Sequence, residues 1–345
     1  MQRAMQPVLV SAELWGRNYY AGERIPTRIY VVNDNNDGRD LGEMQLAWSI
    51  LDDNGKAVAT GIEQFPAVPY YGRKYIEPVI TVPSSIGDKV YGKLALTLTE
   101  NGKQISANEY DLTFAQASWV REALPESGKI VFIGDDTSAD ALTAIGAEFE
   151  RVASVAELKG RKKNPDLCII GGADSLTPEE GKMLRDYQAK GGRLLMLDAG
   201  DFAKTVYPEY ITDVIKPTEG DIVVVERSDD SVFNGLEPLD LRYFNNNKRE
   251  IPLACNATLK AVRHDNVKEL ASQMKIHAYI DGGKAEDRMN KIESMRGLTM
   301  LEVTDGDGKA IISTITTDRA ATDPIAGRVL ANMIKESIKY VGLGL

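Results

Sequence analysis

The apolar residues of this chain change their period once, near residue 115, and that change constrains the fold more than any other feature. Before it, short runs at 7–15, 27–32, 44–51, 57–62, 74–82, 93–99 and 104–114 are rich in Val, Ile, Thr and Tyr and alternate locally between apolar and polar. In Gln45-Leu46-Ala47-Trp48-Ser49-Ile50-Leu51, Leu46, Trp48 and Ile50 share one face, because successive strand side chains point to opposite sides. Asn54-Gly55 and Asn101-Gly102 lie between such runs. Asn-Gly suits a type I′ turn, which needs positive φ at both central residues, so each pair predicts a hairpin. No helical period interrupts the strands.

A connector at 116–127, with Pro125 near its end, leads into a different pattern. The runs at 129–133, 166–170 and 193–197 are apolar throughout and are spaced by helical segments, one of which closes on Gly146. Thr177-Pro178-Glu179-Glu180 opens another helix, with Thr as N-cap, Pro at the first helical position and Glu placed to complete a capping box. Apolar strands separated by helices predict a parallel sheet covered on both faces. Further strands are expected at 221–225, 298–303 and 310–315, and a last helix from Asp323-Pro324 to about residue 340. The polar stretch at 228–297 reads as an irregular insertion. The expected fold is therefore an all-β, immunoglobulin-like sandwich over 1–115 and an α/β, flavodoxin-like domain over 128–345.

Composition narrows the chemistry. Only two Cys (Cys168, Cys255) and two His (His264, His277) are present, which excludes a disulfide scaffold and a Cys/His zinc cluster. A formal net charge of −10 argues against nucleic acid or an anionic membrane surface as partner. No apolar run approaches the ~18–20 residues of a membrane span. Met1-Gln2-Arg3-Ala4-Met5-Gln6 has no apolar signal region, which leaves two readings open, a cytoplasmic protein or a piece of a larger one.

Open α/β sheets bind ligands at the C-terminal ends of their strands. Three loops qualify: Gly134-Asp135-Asp136, Gly171-Gly172-Ala173-Asp174 and Leu197-Asp198-Ala199-Gly200-Asp201. The order strand, Gly-Gly, capped helix, Gly-Gly, strand, turn, helix resembles the class I glutamine amidotransferase-like fold. That resemblance implies that the Gly171-Gly172 loop sits where an oxyanion hole forms, and that the later strand ends in a nucleophile elbow of the type G-x-C-x-G. With the last glycine on Gly200, Asp198 takes the cysteine's place and Met196 the first glycine's. A carboxylate is a poor acyl acceptor beside the thiolate that a helix N-terminus activates. The His-Pro-Glu motif expected later is missing, and Cys168 lies inside a buried strand, where it acts as a small hydrophobe. Asp198 is thus a degenerate nucleophile, and no catalytic residue, metal or cofactor is assigned. Asp135, Asp136, Asp174, Asp198 and Asp201 are alternatively oxygen donors for Mg²⁺ or Ca²⁺, although Asp after a strand is more simply a helix N-cap. Asn108-Glu109 matches a pair found in retaining glycosidases but falls in a sandwich strand. Trp15, Tyr19, Tyr20, Tyr70 and Tyr71 fall in or beside loops, as an interface or as a surface for stacking on sugars, with the interface preferred.

Several stretches together resemble the C-terminal region of bacterial glycoside hydrolase family 2, the β-galactosidase-like group. In the first half they are Leu14-Trp15-Gly16, Tyr30-Val31-Val32-Asn33-Asp34, Trp48-Ser49-Ile50-Leu51-Asp52-Asp53-Asn54-Gly55-Lys56, Val68-Pro69-Tyr70-Tyr71-Gly72 and Leu98-Thr99-Glu100-Asn101-Gly102-Lys103. In the second they are Gly191-Gly192-Arg193-Leu194-Leu195, the run from Phe233 to Phe244, and that from Asp323 to Met333. The family cleaves sugars with two glutamates in a TIM barrel, and no position here matches either. The resemblance implies a non-catalytic accessory region of such an enzyme, serving packing, assembly or sugar contacts. Its expected partners are the catalytic barrel of a parent protein, carbohydrate and further copies of itself. The parent would be periplasmic or extracellular. Two alternatives stand beside this: a hydrolase using the acidic loops with a divalent metal, and an oligomerisation module.

Overall fold

The computed structural model describes residues 6–159, 161, 164–172, 176–216, 220, 222–274 and 296–338. They divide into two compact units, 1–119 with 245–250, and 120–244 with 251–345.

The first unit is a β-sandwich. Its strands are β1 (Val8–Glu13), β2 (Asn18–Tyr20), β3 (Arg28–Asn33), β4 (Met44–Leu51), β5 (Ala57–Phe65), β6 (Arg73–Ile76), β7 (Lys89–Glu100) and β8 (Lys103–Ala115). They form one sheet in the order β1-β3-β6 and another in the order β2-β8-β7-β4-β5. Both contribute to one apolar core that includes Val10, Ile29, Val31, Leu46, Ile50, Leu94, Leu96 and Phe114. Each such side chain removed from water contributes about 1.5–3 kcal/mol. The alternation read in β4 is the one observed, with Met44, Leu46, Trp48 and Ile50 inward. Trp48 fits because Gly61 stands opposite it on β5, where a Cβ would lie 2.3 Å from the indole ring.

The two Asn-Gly turns differ. Asn101 (φ 51°) and Gly102 (φ 76°) make the expected two-residue turn between β7 and β8. At the other pair only Gly55 has positive φ (76°). The Asp52 carboxylate accepts from the backbone of Asn54 and Lys56, and this longer loop replaces the predicted type I′ turn. The run expected at 74–82 is a strand only over Arg73–Ile76. Pro78, which has no N–H to donate, stands two residues beyond its end.

Helix α1 (Ala117–Arg121) begins inside the connector and spans the boundary at residue 119; the second unit continues with β9 (Ile130–Gly134), α2 (Asp136–Ala144), β10 (Glu150–Arg151), β11 (Leu167–Gly171), α3 (Pro178–Ala189), β12 (Arg193–Leu197) and α4 (Gly200–Val206). Next come β13 (Ile211–Ile215), β14 (Val224–Val225), β15 (Thr258–Ala261), β16 (Val267–Met274), β17 (Arg296–Asp305), β18 (Gly308–Ser313) and the last helix, α5 (Pro324–Ile338). The order β10-β9-β11-β12-β18 is parallel throughout. Counted along the chain it reads 2-1-3-4-5, a doubly wound order. The capping box at Thr177 and Glu180 is present. Asp323 caps α5 by accepting from Ile325 and Ala326.

The expectation of a wholly parallel sheet is corrected. Beyond β18 the sheet continues antiparallel through β17, β15 and β13, with β16 on β17 and β14 on β16. A tight turn at Gly306 (φ 55°) joins β17 to β18, and so short a link forces antiparallel pairing. The insertion at 228–297 is also corrected, since it supplies β15 and β16. Val267–Met274 (VKELASQM) is poor in β-branched and aromatic residues, so its sequence does not announce a strand. Of the strand expected at 221–225, Val224–Val225 is observed, and Asp221 lies outside the described residues.

Candidate functional site at the strand ends

The C-terminal ends of β9, β11 and β12 adjoin, as the parallel order requires. Asp135 caps α2, its Oδ1 accepting from the Ser138 N–H at 2.8 Å. Its carboxylate lies over Gly172 (φ +58°), where a Cβ would fall 2.2 Å from Oδ2. Glycine at 172 suits this backbone angle, and a side chain there would push the Asp135 carboxylate aside.

Asp198 sits where β12 turns into α4, with φ 51°. For an L-residue this region costs roughly 1–2 kcal/mol. Strand β12, a turn at Asp198 and α4 follow one another here, with the Asp198 carboxylate at the turn. Asp198 Oδ1 accepts from Asn256 Nδ2. The two backbone amides that the amidotransferase-like resemblance would assign to an oxyanion hole are already engaged. The Ala199 N–H donates to the Ser313 carbonyl at 2.9 Å, and the Gly172 N–H donates to the Leu197 carbonyl at 3.4 Å.

A cavity of about 170 Å³ opens here, walled by Asp135, Asp198, Asn256, Thr317, Asp318 and Arg319, among others. Desolvation pushes the Asp318 carboxyl above its usual range; Asp198 and Asp135 reinforce this and Arg319 opposes it. Asp318 keeps exposed surface, so solvent screens part of that effect. Asn256 Oδ1 and Arg319 Nε and Nη1 are buried with no hydrogen-bond partner among the described residues. Such a wall suits a small polar molecule.

Several expected site residues lie elsewhere. Asp136 is exposed and pairs with Arg151 at 2.6 Å, and Asp201 is exposed in the first turn of α4; neither lines the cavity. Asp174 lies outside the described residues. Among the described residues no group of three or more His, Cys, Asp or Glu is placed to hold a metal ion. Cys168 is fully buried, and burial pushes its thiol up to about 12. His264 packs against the Tyr210 ring at 5.1 Å, away from the cavity, and His277 lies outside the described residues.

Nothing in the sequence alone places Asn256, Asp318 and Arg319 at this cavity. The available signal was that Thr317–Ala321 follows the fifth parallel strand, β18, and so lies at the same end of the sheet.

The aromatics separate clearly. Tyr19 is buried, its hydroxyl donating to the Gly16 carbonyl, and is withdrawn as a contact residue. Tyr20 and Tyr70 are half-buried. Trp15 donates from Nε1 to Glu13 Oε1 at 2.8 Å. Tyr71 is 76% exposed. Asn108 and Glu109 are structural, bonding to the Val10 carbonyl and to Lys93.

No family model matches this chain. No curated protein matches it either. Among solved structures it is similar to a cold-adapted β-galactosidase from Rahnella sp. R3, at 14% identity and TM-score 0.39, over 61% of this chain and 31% of that one. It is similar to a ThuA-like protein from Bacteroides uniformis at 12% identity and TM-score 0.39, over 61% of this chain and 90% of that one. The likeness to the exo-chitosanase of Amycolatopsis orientalis has 13% identity and TM-score 0.24, over 37% of this chain and 12% of that one. The chain thus spans less than a third of either hydrolase. These are partial likenesses, below the level from which a common fold follows. Among the described residues no helix is long and apolar enough to cross a membrane.

Proposed function

We propose that this chain is a non-catalytic accessory region of a carbohydrate-active hydrolase of the β-galactosidase-like group, joining an immunoglobulin-like module to an amidotransferase-like α/β domain. It serves packing, assembly or sugar contacts beside a parent catalytic barrel in a periplasmic or extracellular protein. The observation that carries the reading is the disarmed elbow. In this reading Asp198 stands where a nucleophile would, and what supports it is that the Ala199 N–H, the amide that would stabilise an oxyanion, is bonded to the Ser313 carbonyl. The motifs shared with family 2 support the sugar-related context. Purified chain incubated with aryl β-glycosides and with glutamine is expected to release no product. Turnover that disappears in Asp198→Asn would overturn the reading.

A second reading, hydrolysis by strand-end carboxylates, is favoured by Asp135, Asp198 and Asp318 sharing one cavity. The same assay decides it, with Asp318→Asn as the variant. A third, an oligomerisation module, predicts concentration-dependent mass in light scattering.

A further inference from the structure

We propose that strand β5 pairs antiparallel with β5 of a second copy of this chain, about a two-fold axis at Ile62. Four strands close the two sheets of the sandwich: β1 and β6 on one, β2 and β5 on the other. A sheet edge presents unpaired N–H and C=O groups, and proteins blunt such edges unless a partner covers them. Three of the four are blunted. β2 has three residues and β6 four, of which Arg73 and Lys74 are charged. β1 is longer, but side chains of β8 occupy its free edge. The Val10 N–H donates to Ser106 Oγ at 3.0 Å, the Ala12 N–H to the Tyr110 hydroxyl at 2.8 Å, and Asn108 Nδ2 to the Val10 carbonyl at 3.1 Å.

β5 has none of these devices. It is nine residues long, contains no Pro and carries one charge, Glu63. Among the described residues its backbone bonds only to β4. Thr60, Ile62 and Gln64 face solvent, and Ile62 is 67% exposed. The shift of register between Ala57 and Ala59 lies at the start of the strand and leaves 59–65 regular.

Self-pairing has few registers. Residues opposite one another on antiparallel strands share a face, so the two-fold axis must pass through a residue that opposes itself. Centred on Glu63, it would set two carboxylates against each other, which is unfavourable. Centred on Gly61, it would cover Ile62 only with Thr60. Centred on Ile62, it sets Ile62 on Ile62, Thr60 on Gln64 and Gly61 on Glu63. The charge is then kept off its own copy, and the exposed apolar side chain is covered by its equal.

The core supplies a second, independent observation. Trp48 is 8% exposed, and its Nε1 is buried with no hydrogen-bond partner among the described residues. An indole N–H only donates, and buried donors without an acceptor are rare. That nitrogen lies 2.6 Å from where a Cβ on Gly61 would stand. Gly61 and Glu63 share the inward face, opposite Trp48 and Leu46 of β4. Glu63 is half-buried and has no ion pair or hydrogen bond among the described residues. In the Ile62-centred register, Glu63 of the second copy stands opposite Gly61, its carboxylate within a side chain's reach of Trp48 Nε1. Symmetry makes that bond twice. Each copy holds a donor without an acceptor and an acceptor without a donor, and this singles out a second copy over an unrelated strand.

The inference gives the oligomerisation reading a surface and rests on that reading; it does not depend on whether the chain hydrolyses anything. One strand on each side is a small interface, so the dimer should dissociate on dilution.

The test is sedimentation velocity of the full chain over micromolar to millimolar concentration. A reversible monomer–dimer equilibrium is expected, weakened at least tenfold in Glu63→Ala and abolished in Ile62→Lys, which opposes like charges at the axis. Because Ile62 is exposed, Ile62→Lys should leave Tm unchanged, which separates lost pairing from lost fold. Register is read by cysteine cross-linking with copper–phenanthroline as oxidant. Ile62→Cys should give a covalent dimer, since residue 62 opposes itself, and Thr60→Cys should not. A monomer at every concentration would overturn both this surface and the oligomerisation reading. A dimer that Glu63→Ala and Ile62→Lys both leave intact would keep that reading and overturn the surface. A cross-link through Thr60→Cys with none through Ile62→Cys, or assembly beyond the dimer, would overturn the two-fold pairing.

Discussion

Asp198→Cys tests whether the elbow lacks only its nucleophile. The substitution places a thiol at the tip of a strand–turn–helix elbow whose backbone is already bent to φ 51°. Were the nucleophile the sole deficiency, hydrolysis should appear. The structure predicts otherwise. The Ala199 N–H is spent on Ser313 at 2.9 Å, and the Gly172 N–H on Leu197. One oxyanion-hole donor supplies about 2.7–4 kcal/mol of transition-state stabilisation. Two missing donors forfeit about 5–8 kcal/mol, or roughly 10⁴–10⁶ in rate. No histidine among the described residues lines the cavity, which removes a further ~10²–10⁴ of general-base assistance. The variant should therefore react with p-nitrophenyl acetate about as fast as a free thiol of the same pKa, in one stoichiometric burst, and release no ammonia from glutamine. Steady turnover more than about a hundredfold above that thiol would refute the reasoning. It would mean that the Ala199 amide rotates away from Ser313 when an oxyanion forms.

Three further outcomes follow from packing and charge. The Arg39 guanidinium holds the Glu100 carboxyl below the usual carboxylate range, with the Gly42 N–H assisting. That stability is present above the unfolded value near 4.5 and is lost as pH falls through the lower folded value. Glu100→Gln should therefore flatten, relative to wild type, the acid limb of urea-midpoint measurements below about pH 4.5. Tyr207→Phe strips the donor from Gln188 Oε1, which is fully buried and bonded at 2.5 Å, and should cost about 1–3 kcal/mol in denaturant titration. Gly61→Ala drives a methyl into the Trp48 indole and should cost about 1–3 kcal/mol, with a shifted tryptophan emission maximum.

Local rules made the sandwich strands and the first α/β units readable. Thr177-Pro178-Glu179-Glu180 and Asn101-Gly102 encode their own geometry within four residues, and both were built as read. Asn54-Gly55 failed because the Asp52 carboxylate, two residues upstream, gathers the turn's N–H groups and competes with the I′ geometry. The antiparallel half was hidden for another reason. β15 and β16 are strands because β17 offers them partners, and nothing in Val267–Met274 expresses that. Asp135 and Asp198, which line one cavity, are legible as strand-end residues because they follow strands in sequence. Asn256 and Asp318 arrive from loops more than fifty residues away, and only the sheet order brings them near.

The central position of β18 has a consequence for the order of synthesis. Arg193 of β12 pairs with Lys309, roughly 116 residues later in the chain. At ~5–20 residues per second a ribosome takes roughly 6–23 s to cross that interval. During it, the Arg193–Leu197 strand (RLLML) waits with the N–H and C=O groups of one edge unpaired. Non-local pairing of this kind is slow, and open edges invite wrong partners. Release of the chain before Gly308–Ser313 has emerged should yield an aggregating product from this unit, and a holdase should be needed longest for β12.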